Sequence, residues 1–503
     1  MQKLKKGSIN NKAILVNMIW SCLAVIINYL INFLITPYVT NNIGIEAYGF
    51  VALANSFTSY IDIISISLNS LAGRYISIAY HKGDKRKANK YYSSTVFADL
   101  VLAVGVLIPS IFIIAKLEYI LKIPDNLSYD VKLLFLIVVI KYLFSVLRTA
   151  FNAATFIRNR LDLSERQQSI AYVLQAVILL ACCTILEPHV WYVGLSAAIG
   201  ALYLLCVNIK LSHRLTPELK FDIKDSSIKD IKEIVSSGIW SSLNSLGNVL
   251  NSGLDLLITN LLLTTIVQGQ ISVAKNLATI CYTLVLKISG AYKPKQLKLY
   301  AEENIKDLIA IFRRSMGITG FVCNLIICVF VVCGKDFLRL WIPNQDTNYI
   351  YTVTVIVLLG DVVIGVVNPL YYIYVLTNKL KLPCLVTIGM GIVNVISMFI
   401  LIKYTNLGGY AVVLTTMILN WCHFIDTPLY SAFCLNVPLT TFYPPILRHF
   451  ISLLAGGIVG KILLGLMPGA TSWVELIRNG MICAIVIGML LFIVQLFNFS
   501  RKK

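Results

Sequence analysis

An apolar run of about 20 residues recurs along this chain from end to end, and that recurrence limits its fold more than any other feature. One such run, wound as a helix, crosses the ~30 Å hydrocarbon core of a bilayer. Fourteen runs can be marked, near 13–38, 51–77, 94–116, 132–156, 167–187, 190–211, 236–262, 270–292, 313–334, 350–376, 382–402, 408–434, 446–466 and 474–498. Polar residues dilute the fourth, eighth and twelfth. Only 13% of the 503 residues are charged, against about 25% in a soluble domain. The expected class is all-α, a polytopic membrane protein of about 14 transmembrane helices. The first run is too long for a signal-peptide core and lacks a small-residue cleavage pattern, so it reads as a retained span.

The net charge of +19 would suggest nucleic acid in a soluble protein. Its distribution excludes that partner. Of 43 Lys and Arg, thirty fall in the termini and in alternate connecting segments. Seven (Lys116, Lys122, Lys132, Lys335, Arg339, Lys403 and Arg478) fall in the others, and six lie within runs. The positive-inside rule then places both termini in the cytoplasm of a multi-pass protein. The 12 cysteines form no metal-binding pattern and lie mostly within runs. No P-loop, GxSxG or HExxH motif occurs, so an enzyme is not expected and no cofactor is implied.

Two cytoplasmic connectors, 214–235 and 293–314, are rich in Lys and read as short amphipathic helices at the headgroups. In the first, Ser227 followed by Asp230 resembles a capping box. Residues 17–55 align without a gap on 237–275, with nine identities, including Trp20/Trp240 and Asn28/Asn248. The second copy begins six spans after the first, so the halves are expected to be parallel repeats. This gives a six-helix lobe at 1–213, a connector at 214–235, a second six-helix lobe at 236–434 and two appended spans at 435–503. Two such bundles would enclose a central cleft.

Polar residues recur at helical spacing in the repeat-paired spans. Span 2 carries Asn55, Ser59, Asp62, Ser65 and Asn69, and span 7 carries Asn244, Asn248, Asn251 and Asp255. Span 8 carries Asn276, Thr279, Thr283 and Lys287, and span 1 a weaker set of Ser21, Asn28, Asn32 and Thr36. Such stripes avoid lipid, because hydrocarbon offers no hydrogen bonds. They either line a cleft or join neighbouring helices at about 0.6 kcal/mol each. Intramembrane charges cost at least ~2.5 kcal/mol apiece and mark functional positions. Cations Arg74, Lys141, Arg148, Lys275 and Lys287, with Asn55, Asn69, Asn248 and Asn251, are the candidate substrate-binding set. Asp62, Asp255 and Asp361 are candidates for coupling to H⁺ or Na⁺. For any one charge the competing reading is an internal salt bridge. Lys and Arg suit a phosphate or pyrophosphate, and amide and hydroxyl stripes suit sugar hydroxyls.

The segments NNIGIEAYGFVALANSF (41–57), SLNSLAGRYISIAYHKGDKRKANKYYSST (67–95), LKFDIKDSSIKDIKEIVSSGIWSSLNSLGNVLNSGLDLLITN (219–260) and GKDFLRLWIP (334–343) resemble the bacterial polysaccharide transporter family. That family includes the O-antigen and capsular flippases and lies within the multidrug/oligosaccharidyl-lipid/polysaccharide exporter superfamily. The resemblance implies a flippase for undecaprenyl-pyrophosphate oligosaccharide, used in lipopolysaccharide or capsule assembly. Its partners would be membrane lipid and a glycan polymerase or other assembly protein. The alternative is a cation-coupled multidrug antiporter of the same superfamily.

Overall fold

The computed structural model describes residues 11–158 and 160–496, with the side chains of 11–26, 161 and 496 left aside. Lys3, Lys5, Lys6, the Arg501–Lys503 tail, and the side chains of Trp20 and Ser21 lie outside the described set. Among the described residues there is no strand. Fourteen helical rods take the places of the fourteen apolar runs, and ten of them are long and apolar enough to cross a membrane by length and composition alone. Of the three diluted runs, the eighth meets that measure and the fourth and twelfth do not.

The chain divides into two compact units at Leu246/Gly247. The N-terminal unit begins with α1 (Asn11–Asn42), α2 (Ile45–His81) and α3 (Lys85–Ala115), and a single turn, α4 (Leu117–Ile120), follows. It continues with α5 (Ser128–Ile157), α6 (Leu161–Ile185) and α7 (Trp191–Leu215), and the boundary falls near the end of α8 (Ile228–Asn248). Helix α2 packs on α3 and α5, and α5 lies along α7. Leu68, Ile76, Tyr92 and Ile157 form a core at one end of these helices, joined by Leu219 from the connector and Ile234 from α8.

The connector at 214–235 is therefore not a free helix at the headgroups. Hydrogen bonds strap it to α3: Lys220 N–H donates to Asn89 Oδ1 at 2.7 Å, and Asn89 Nδ2 donates to Asp225 Oδ2 at 2.8 Å. Helix α8 starts inside the connector and runs on into the seventh span. Its capping box is half built. Ser227 Oγ accepts from Lys229 N–H at 3.2 Å, but Ser227 N–H goes to Ser94 Oγ instead of Asp230.

The C-terminal unit contains α9 (Asp255–Leu262), α10 (Thr265–Ala301), α11 (Ile305–Trp341) and α12 (Thr347–Val367). A 3-10 turn at Asn368–Leu370 leads into α13 (Tyr371–Leu376). Then come α14 (Lys381–Tyr404), α15 (Gly409–Cys434), α16 (Tyr443–Leu466) and α17 (Trp473–Leu496). The second expected surface helix, 293–314, is also absent as a separate element. It consists of the ends of α10 and α11 and the turn between them. A 37-residue helix is about 55 Å long, well over the bilayer core, so its charged end projects. Helices α16 and α17 pack on α11, where Asn324 Nδ2 donates to the His449 carbonyl at 2.9 Å and Gln495 Nε2 to the Gly317 carbonyl at 2.7 Å.

The repeat extends far beyond the 39 residues aligned by identity. A shift of 220 residues takes the end of α1 (Asn42) onto the end of α9 (Leu262). It carries both ends of α2 (Ile45, His81) onto both ends of α10 (Thr265, Ala301), and the start of α3 (Lys85) onto that of α11 (Ile305). The ends of α5, α6 and α7 match those of α12–α13, α14 and α15 within two residues. The turns agree as well. Gly83 and Glu303 both have positive φ, and the next residues, Asp84 and Asn304, both cap the following helix through their side chains.

Candidate functional site

Each unit carries one polar cluster made from repeat-equivalent helices. In the N-terminal unit the cluster lies between α2 and α5. Asn55, about three turns into α2, donates its amide to the Val51 carbonyl at 2.9 Å, and its Oδ1 accepts from Lys141 Nζ at 3.1 Å. Two turns on, Asp62 Oδ1 accepts from Ser65 Oγ at 2.6 Å, and the Tyr142 hydroxyl donates to Ser65 at 2.8 Å. These residues come together because 55, 62, 65 and 69 share a face of α2, and 141 and 142 face it from α5. Asn69 lies beside the buried carboxyl of Asp99 on α3. Lys141 makes no ion pair among the described residues; its only partner named here is a neutral amide.

Arg148, two turns beyond Lys141 on α5, reaches α6 instead of α2, with Nη1 3.4 Å from Gln168 Oε1. Arg74 is exposed and makes neither a hydrogen bond nor an ion pair with the described residues. Lys287 is exposed in the same way, twelve residues and about 18 Å along α10 from Lys275.

In the C-terminal unit the candidates converge. A cavity of about 380 Å³ is lined by Asn248, Asn251, Asp255, Lys275, Asp361 and Asn420, among others. Lys275 Nζ lies 2.7 Å from Asp255 Oδ2 and 2.5 Å from the Ser252 carbonyl. Asp361 faces the same cavity from α12, within the field of Lys275, and Tyr282 stands near it. Asn251 Nδ2 donates to Asn420 Oδ1 at 3.1 Å. Asn251 Oδ1 and Asp255 Oδ1 are buried without a hydrogen bond.

A wide turn shapes this cavity. Between α8 and α9 the backbone passes through one π turn, Val249–Gly253, in which Leu254 N–H reaches back five residues to the Val249 carbonyl at 3.0 Å. Such turns leave carbonyls outside the regular ladder and often mark functional positions. Here Asn394 of α14 donates to the Asn251 carbonyl at 2.5 Å and to Thr416 Oγ1 at 3.1 Å. Gly391 lets α14 come this close, since a Cβ there would meet the Leu250 Cβ at 2.5 Å. Asn394, Asn420, Tyr142 and Gln168 were not among the sequence candidates. None of them belongs to a polar stripe at helical spacing in the repeat-paired spans 1, 2, 7 and 8.

The 220-residue shift pairs the two clusters position by position. Asn55 maps to Lys275 and Lys141 maps to Asp361. The same two helix positions thus contribute to both clusters, with the lysine on opposite members: Lys141 bonds Asn55, whereas Lys275 and Asp361 line one cavity. The N-terminal positions hold a lysine bonded to an amide; the C-terminal positions hold a lysine and a carboxyl group, and the lysine's ion partner is Asp255.

Residues 14–294 match the family described as "Polysaccharide biosynthesis protein". The chain belongs to that family. Among curated proteins it is 27% identical over 398 residues to "Uncharacterized membrane protein EpsK" of Bacillus subtilis, a match covering 78% of each chain. Solved structures share the fold of this family member. The lipid II flippase MurJ in an inward closed conformation superposes with a TM-score of 0.68 at 14% identity, over 98% of this chain and all of that one. An inward-facing multidrug resistance MATE transporter of the MOP superfamily gives 0.61 at 15% identity, over 90% and 100%. The chain is a multi-pass membrane protein with the fold of that superfamily.

Proposed function

We propose that this protein is a flippase for undecaprenyl-pyrophosphate-linked oligosaccharide. It carries the lipid-linked repeat unit from the cytoplasmic to the periplasmic leaflet of the bacterial inner membrane by alternating access, for O-antigen, lipopolysaccharide or capsule assembly. The observation that carries this reading is Lys141, an intramembrane cation opposed by the Asn55 amide and by no carboxylate. A membrane protein bears the desolvation of an unpaired ammonium where an anionic ligand completes the site. Asp62, Asn55 and Asn69 on the same face supply acceptors and donors for sugar hydroxyls, and Arg148 adds a second cation about 10 Å along α5.

The C-terminal cluster suits a different task. Lys275 is neutralised by Asp255, and Asp361 is left in surplus, so this cavity favours a small cation, H⁺ or Na⁺, over a phosphate. Lys275 is therefore assigned to the ion site with Asp255 and Asp361, and Asn248 and Asn251 form its wall. Arg74 and Lys287 are assigned no contact with the pyrophosphate.

The test is flipping of undecaprenyl-pyrophosphate oligosaccharide in proteoliposomes. Losing a charge-assisted contact to phosphate costs about 2 kcal/mol, so Lys141→Ala should slow flipping at least about tenfold at unchanged folding, and Lys287→Ala should leave it near wild type. Equal rates for wild type and Lys141→Ala would refute the assignment. Drug efflux without any flipping by the wild type would replace it with the multidrug antiporter.

A further inference from the structure

A second cavity in the C-terminal unit, about 930 Å³, runs between α11, α16 and α17. It shares no lining residue with the Lys275–Asp361 cavity. Phe321, the buried Leu491 and the exposed Phe492 give it apolar walls. One end is basic, with Lys295, Arg313, Arg314 and Arg448. Arg313 is held by two hydrogen bonds to the Thr441 carbonyl, from Nε at 2.9 Å and Nη2 at 2.7 Å. That anchor keeps it within the repulsive field of Arg448. None of the three arginines makes an ion pair among the described residues. Asp307 also lines the groove, but its Oδ2 accepts from Asn304 Nδ2 at 2.8 Å. Farther along, Asn324 is fully buried against the groove, and its Oδ1 has no hydrogen bond.

Adjacent guanidinium groups that outnumber the one carboxylate of the groove and are ion-paired to none form an anion site. An apolar trough leading away from them calls for an amphiphile. We propose that this groove binds an anionic diacyl phospholipid, with the phosphate held by Arg313, Arg314 and Arg448 and the acyl chains lying along Phe321, Leu491 and Phe492. Bilayer phospholipid is the most abundant amphiphile around the protein, so mass action favours it over a scarce polyprenyl lipid. Basic pockets between membrane helices on the cytoplasmic side are suited to anionic headgroups. Helices α16 and α17, which have no counterpart in the repeat, then serve to build a lipid site. This inference does not depend on what the protein transports.

Native mass spectrometry of the full chain in detergent tests it, using phosphatidylglycerol, phosphatidylcholine and undecaprenyl phosphate as probes. Phosphatidylglycerol should be retained by the wild type, and affinity should fall about fivefold for each cation removed, as in Arg313→Gln combined with Arg448→Gln. Arg314→Gln alters an exposed side chain and reads the same site even if the double variant misfolds. Equal retention of phosphatidylcholine, or undiminished binding by Arg314→Gln and the double variant, would overturn the proposal. Retention of undecaprenyl phosphate alone would assign the groove to another lipid and would equally overturn it.

Discussion

Lys141 and Lys275 occupy repeat-paired helices, yet their surroundings differ. Lys275 is stabilised by Asp255, whose carboxyl is almost fully buried. Removing one member of such a pair leaves a buried charge uncompensated, so Lys275→Met should cost about 3 kcal/mol, read as a lower melting temperature in detergent. The double variant Lys275→Met with Asp255→Leu should regain most of it, because an apolar pair of similar volume replaces the ions. If the double variant were as unstable as the single one, the two residues would not be coupled. Lys141→Met should cost far less stability, since its named partner is an amide. The stripes on α2 and at the junction of α8 and α9 were legible in the sequence because residues three and four apart share a helix face. That Lys141 faces an amide while Lys275 faces a carboxylate was not legible. It depends on which residues of α5, α12, α14 and α15 face the stripes, and the packing of one helix against another leaves no period within either sequence.

At the scale of elements, two features can be tested by small substitutions. Gly391 sits where α14 meets the π turn, while Gly389 on the same helix faces open space. Gly391→Ala should destabilise by about 2 kcal/mol through overpacking, and Gly389→Ala should be neutral or slightly stabilising. Equal effects would mean that the close approach does not hold the turn. The caps form a matched pair: Asp84 Oδ1 accepts from Lys87 N–H at 2.9 Å, and Asn304 Oδ1 from Asp307 N–H at 3.2 Å. Asp84→Ala and Asn304→Ala should each cost about 1 kcal/mol. The π turn itself could not be read from VLNSG, which has nothing to distinguish it from helix; the neighbouring α14 determines it. The two expected surface helices failed for a related reason. A membrane helix that continues past the headgroups carries the same Lys-rich amphipathic pattern as a helix lying on the surface, and only the hydrogen bonds and helix ends separate the two.

For the whole molecule, the 220-residue correspondence makes a topological prediction. If the halves are parallel repeats, Lys82 and Glu302, both exposed at equivalent turns, face the same side of the membrane. With the twelve natural cysteines removed, Lys82→Cys and Glu302→Cys should be labelled by an impermeant maleimide only after the cytoplasmic side is opened. Labelling of the two from opposite sides would make the repeat inverted. The recurring apolar runs made the helix count legible, whereas the extent of the repeat was not, because matching helix ends need few matching residues. The same correspondence preserves a trace of descent at one turn. Where the first half places Gly83 at φ 82, the second places Glu303 at φ 56. Left-handed backbone costs a side-chain-bearing residue about 1 kcal/mol that glycine avoids. The same bend thus occurs in both halves and is unstrained in only one, so the first half shows which residue would relax the second.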